Sequence, residues 1–304
     1  MSQEITPIPE RTIVQKIFIS PDEPRLRAGW RLLLQTLLLI LISIPLNLVA
    51  YALKLHEITG NLGFLVSQIL ELIILGSSIY IARRWLDKRS FESLGLKVNR
   101  QAWVDILTGI GITFIQMGFI YAVMLGLGWL SFTGFAWQFD SLNVVITSVL
   151  AFFVIFIFVG WNEELLSRGY HLQTLASGIN LFWGVMISSA VFGLLHLGNP
   201  NATWVSAAGI FFAGIYLAYG YIRTKQLWLS IGLHIGWNFF EGVVFGFPVS
   251  GLDIYPLTRI QVTGPELWTG GAFGPEAGLI VLPSLIVGAV LIYWYTRGRE
   301  SKEQ

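Results

Sequence analysis

The chain has 304 residues, 54% of them hydrophobic and 12% charged, with a net charge of +1 and no cysteine. That charged share is about half the ~25% usual in soluble domains, and the apolar residues come in blocks long enough for the ~20 helical residues that cross a bilayer. A soluble protein, a large nucleic-acid footprint, disulfides, thiolate metal ligands and a cysteine nucleophile are excluded.

In chain order, residues 1–29 form a polar arm in which Pro7, Pro9, Pro21 and Pro24 discourage a long helix. It is too polar for the apolar core of a signal peptide and reads as a retained cytosolic segment. Apolar spans are then expected at about 30–53, 61–82, 103–130, 142–170, 181–198, 202–222, 227–247 and 277–296. The blocks are twice too long for barrel strands and lack in–out alternation. The expected fold is an all-α polytopic membrane protein, about eight transmembrane helices enclosing a polar cavity. It makes one membrane domain over 30–297, followed by a short cytosolic tail, 298–304. With the amino terminus inside, 17 of the 19 Lys and Arg fall on cytosolic segments, and only Lys54 and Arg259 fall outside. Both termini are therefore expected in the cytosol, from a cell inner membrane or, in a eukaryote, an endoplasmic reticulum or organelle membrane. The connection at 248–276, with four prolines and five glycines, reads as a plain outer loop rather than a lid.

Charge inside a span costs between ~2.5 and ~17 kcal/mol, so each such residue needs a reason. The spans hold Glu71, Glu163, Glu164, Arg168 and Glu241, with His196 and His234 as titratable neighbours. His171 flanks them, and His56 lies in an outer loop. On a helix Glu164 and Arg168 lie about 40° apart, within salt-bridge reach, whereas Glu163 is about 140° from Arg168. Glu164 is then the paired structural carboxylate, and Glu163 is left without a cation of its own. Phe192 and His196 share a face one turn apart, as do His234 and Asn238, and Glu241 returns to that second face seven residues on. One unpaired carboxylate, two imidazoles and a carboxamide make a hydrolytic inventory. The carboxylate can act as general base on water, an imidazole can share the proton, and His with Asn can donate to an oxyanion. The plain alternative is a buried packing cluster. Other membrane-protease signatures fail, because His56-Glu57-Ile58-Thr59 lacks the second histidine of a zinc helix and no serine or aspartyl motif occurs.

Glu-Glu-x-x-x-Arg at 163–168, Phe-x-x-x-His at 192–196 and His-x-x-x-Asn at 234–238 resemble, in order and on separate spans, the three motifs of the CPBP family. These are the CAAX-protease and bacteriocin-processing membrane proteins, also called Abi. The segment 89–96, Arg-Ser-Phe-Glu-Ser-Leu-Gly-Leu, resembles one upstream of that family's core, so the likeness covers about 85–245.

The resemblance implies an intramembrane endopeptidase in which Glu163 activates water with His196 while His234 and Asn238 stabilise the oxyanion. Glu164, Arg168, Phe192 and Glu241 would support them. It implies a protein or peptide substrate in contact with membrane lipid, in some members a prenylated CAAX tail, and no nucleic acid. Family members are described both as metalloproteases and as metal-independent glutamate proteases. No cofactor is favoured here, because Asn238 suits an amide donor better than a zinc ligand, but zinc on Glu163, His196 and His234 stays open. The rival function is a non-catalytic scaffold or transporter-like binder. One difficulty is depth: if span four ended at Trp161, Glu163 would sit at the inner surface and His196 near the outer one. A span four running on to about Tyr170 or beyond removes it.

Overall fold

The computed structural model describes residues 11–299; residues 1–10 of the arm and 300–304 of the tail lie outside the described residues. A short helix, α1 (Ile13–Phe18), precedes α2 (Ala28–Ala52) and α3 (Gly60–Ile81), which continues into a π-turn at Ala82–Leu86. Then come α4 (Arg100–Gly126), β1 (Leu130–Phe135) and α5 (Leu142–Glu164). A π-segment, Leu165–Leu172, joins α5 to α6 (Gln173–Gly178), so that Leu142–Gly178 is one helix of 37 residues. After it follow α7 (Leu181–Leu195), α8 (Trp204–Thr224), α9 (Trp228–Asn238) with a π-segment at Phe239–Val244, β2 (Thr258–Val262), α10 (Glu266–Thr269) and α11 (Val281–Thr296).

Among the described residues six helices are long and apolar enough to cross a membrane, and α11 is a shorter apolar helix of 16 residues. All eight expected apolar blocks are helical. The fold is an all-α polytopic membrane fold with a small β addition. Its outward faces are those of a lipid-facing protein: Leu41, Leu107, Leu150 and Ile286 are exposed, while polar groups such as Gln116, Ser284 and Tyr216 bond one another inside.

The end of the third span differs from expectation. The third span ends at Gly126 rather than about residue 130, because Leu127 caps it and Gly128 turns the chain at φ +70°. After Trp129 the chain forms β1, which pairs antiparallel with β2 in the 248–276 connection. Leu130-Ser131-Phe132-Thr133 alternates as a strand does, but Gly134 interrupts the pattern.

The long helix positions the site. Glu163 stands fifteen residues before its end at Gly178, and His196 stands fifteen residues after the start of α7 at Leu181. At about 1.5 Å per residue, each is about 22 Å from the turn between them. Packing of α7 back along the π-segment and α6 therefore brings the two to one level. The depth difficulty disappears because the helix continues past Tyr170. On the other side α9 packs closely on α4. A Cβ on Gly232 would strike the Ile106 backbone, and one on Gly236 would strike Thr113 Oγ1. Small residues let the backbones approach and set the depth of His234 and Asn238 between them.

Candidate active site

The motif residues converge from three helices on a cavity of about 450 Å³, whose walls include Glu163, Phe192, His196, His234 and Asn238. Glu163 Oε2 lies 3.7 Å from His196 Nε2 and 3.7 Å from His234 Nε2. That oxygen is buried and makes no hydrogen bond. Each imidazole is held from behind. The Nδ1 of His196 is 2.8 Å from the Phe192 carbonyl, which can only accept, so Nδ1 carries hydrogen and Nε2 faces Glu163. The Nδ1 of His234 is 2.9 Å from Glu164 Oε1, with the same consequence. Asn238, one turn beyond His234, is buried and lines the cavity.

Glu164 is 0% and Arg168 1% exposed. The Arg168 guanidinium donates to Glu164 Oε1 at 2.8 Å and to the Gly214 carbonyl at 3.1 Å. It also lies 4.3 Å from the centre of the Phe192 ring, a cation–π distance. The Phe192 ring also meets His196 edge-on, with centres 4.7 Å apart, and His234 at 6.1 Å. Phe192 therefore touches three motif residues with its ring and orients one with its carbonyl.

Glu241, expected on the His234 face, does not line the cavity. It lies in the π-segment that starts at Phe239, where the turn is wider than 3.6 residues. Glu241 is fully buried, its two oxygens make no hydrogen bond among the described residues, and it is absent from the cavity wall.

Sequence reasoning missed Glu276 altogether. The 248–276 connection folds over the site, and Glu276, 5% exposed, lines the cavity. Its Oε1 accepts from the Trp237 indole N–H at 3.0 Å, and its Oε2 from the Ser250 N–H at 2.9 Å and hydroxyl at 2.6 Å. Asn199, three residues past His196, donates to the Ser250 carbonyl at 3.0 Å. Burial pushes the Glu276 carboxyl above its ordinary range, while Ser250 and the two histidines pull it back. The Pro/Gly-rich composition of the loop carried no sign of this; a lone Glu beside Pro275 looks like any outer-loop residue. Glu71 in α3 also reaches the wall, accepting from Gln68 Nε2 at 3.1 Å.

Two imidazole nitrogens and a carboxylate are zinc-type donors. Among the described residues, however, no three His, Asp or Glu side chains are arranged to hold a metal ion, and no step below is routed through one.

Residues 144–240 match the family model described as type II CAAX prenyl endopeptidase Rce1-like. This segment is similar to the core of that peptidase family. The matched segment contains all seven motif residues from Glu163 to Asn238 and leaves out Glu71, Glu241 and Glu276. The chain is also 30% identical over 111 residues, 36% of its length, to a Bacillus subtilis (strain 168) protein named "Putative membrane peptidase YdiL". That stretch spans 41% of the relative's length. No solved structure matches the chain.

Proposed function

We propose that the protein is an intramembrane endopeptidase that hydrolyses peptide bonds of membrane-associated proteins with water activated by Glu163. The observation that carries this is the Glu163 carboxylate, free of any cation of its own and facing both imidazole Nε2 atoms in the cavity. A water seated there loses a proton to Glu163, and His196 Nε2 shares that proton. The hydroxide attacks the scissile carbonyl. With a carboxylate at each nitrogen, His234 can carry both ring protons and donate Nε2–H, alongside the Asn238 amide, to the oxyanion. Collapse of the tetrahedral intermediate returns the proton from the Glu163–His196 pair to the departing amine. Both termini lie in the cytosol, from the charge bias. A scaffold or transporter-like reading leaves Glu163 without a role, since Glu164 and Arg168 already satisfy the packing.

The test compares purified wild type and Glu163→Ala on a pooled set of membrane-peptide substrates. Loss of a general base costs ~10²–10⁴-fold, so the variant should lose at least a hundredfold in turnover and keep its melting temperature. Equal turnover overturns the proposal.

A further inference from the structure

The short helix α1 stands outside the packed interior of the protein. None of its six residues is buried. Ile13 is 77% exposed, Val14 64%, Ile17 49% and Phe18 39%. At about 100° per residue these four apolar side chains fall within an arc of about 140°, and Gln15 and Lys16 take the opposite side. A helix divided in this way, with a cation on its polar side, has the pattern of one lying in the plane of a membrane interface.

Its place in the fold agrees. Phe18 stacks on Trp30 in the first turn of α2, with ring centres 5.0 Å apart, and the Trp30 indole N–H donates to the Ile17 carbonyl at 3.2 Å. Beyond Trp30, Leu33, Leu37 and Leu41 of α2 are exposed on the lipid side. The apolar face of α1 is therefore continuous, through Phe18 and Trp30, with the lipid-facing side of the first span. A cleft of about 610 Å³, with Ile17, Trp30 and Ile179 among its walls, separates α1 from the 178–181 turn. Past that turn Phe182 and Trp183 are exposed in their turn. Tryptophan gathers at the boundary between membrane and water, and Trp30 and Trp183 mark that boundary on either side of the cleft.

The arm that carries α1 is fastened to the protein. Arg25 pairs with Glu23 at 2.7 Å and with Asp87 at 3.8 Å, Arg89 reaches Glu23 at 3.0 Å, and Lys88 donates to the Pro24 carbonyl at 2.9 Å. Arg11 donates to the Ser20 and Pro21 carbonyls at 2.9 and 2.7 Å. The helix is thus ordered before it meets any partner, which lowers the entropy lost on contact. Residues 11–31 hold five cations against Asp22 and Glu23, a balance that suits phospholipid headgroups. A second protein is a poorer fit, because a standard interface uses ~20–30 residues a side.

We propose that α1 is an interfacial anchor. Ile13, Val14, Ile17 and Phe18 insert among the phospholipids of the leaflet at which the first span begins, and Lys16 stays at the headgroups. The charge bias makes that leaflet the cytosolic one. The inference is independent of the peptidase reading.

The experiment uses the full-length chain, which has no cysteine of its own. Val14→Cys and Lys16→Cys are each labelled with a fluorophore and reconstituted in vesicles of phosphatidylcholine and phosphatidylglycerol at three to one. Lipids bearing a nitroxide near the headgroup should quench the Val14→Cys probe at least twofold more than the Lys16→Cys probe, and aqueous iodide should give the reverse order. Ile13→Cys serves in place of Val14→Cys if that variant fails to reconstitute. Equal quenching at the two positions overturns the inference. So does a Val14→Cys probe open to iodide and untouched by the nitroxide lipids. A Val14→Cys probe shielded from both quenchers also overturns it, because protein rather than lipid then covers the face.

Discussion

Glu164 and His234 are 70 positions apart in the chain and 2.9 Å apart in space, joined Oε1 to Nδ1. The same oxygen accepts from Arg168 at 2.8 Å. One carboxylate oxygen therefore ties the structural ion pair of the long helix to the imidazole of α9. The second motif glutamate is a positioning group for the third motif, while the first is left free to face the cavity.

This linkage predicts an order of stabilities. Removing one partner of a buried ion pair costs about 3–5 kcal/mol, because the survivor stays charged and buried. Arg168→Ala strands Glu164 and also takes a donor from the Gly214 carbonyl and the cation from the Phe192 ring. Glu163→Ala removes a side chain that makes no ion pair with Arg or Lys and is 30% exposed. In a detergent thermal melt, Arg168→Ala should unfold well below Glu163→Ala. Coincident melts would show that the pair carries no stability.

The α4–α9 contact gives a packing prediction. Gly236→Leu puts a side chain where Thr113 and Ile110 already lie, and overpacking costs about 1–3 kcal/mol. The helices must part, and His234 and Asn238 ride on the one that moves. Both the melting temperature and peptide turnover should fall. Gly111→Leu, on the same helix pair but with open space at its Cβ position, is the control and should change neither.

Metal dependence is decided by chelation. The mechanism proposed here uses Glu163 without a metal, so exhaustive chelation followed by metal analysis should leave activity in metal-free protein. Activity lost to the chelator and restored by stoichiometric zinc would transfer water activation to a metal on Glu163, His196 and His234.

The charge bias predicts the topology. Because the chain has no cysteine, single introduced cysteines report on a silent background. An impermeant thiol reagent applied from outside should label Glu57→Cys and leave Arg100→Cys and Ser301→Cys untouched. Labelling of Ser301→Cys from outside would reverse the orientation.

Much of this protein is legible in one dimension, for a physical reason. A bilayer forces each span into a helix of fixed length, so the eight apolar blocks follow from hydropathy alone. Within a helix, four-residue spacing fixes which side chains are neighbours, and the Glu164–Arg168 pair, Phe192 beside His196, and His234 near Asn238 could all be read off. What escaped was whatever broke the helical period or joined distant segments. Gly128 ended a helix early and made room for a strand. The π-segment at Phe239 departs from the 3.6-residue turn around Glu241, which does not line the cavity. The meeting of Glu163 with His196 depends on equal distances from a turn at 178–181, and that of Glu164 with His234 on the close approach of α5 and α9, where Gly160 lies against Ile231 and Ile235. Glu276 belongs to a loop whose path is set by Trp237, Ser250 and Asn199. The sequence by itself determined the helices and the side chains each presents. Only the tertiary structure decided which of those side chains share a cavity, because contacts between separate helices depend on packing distances that no spacing along the chain encodes.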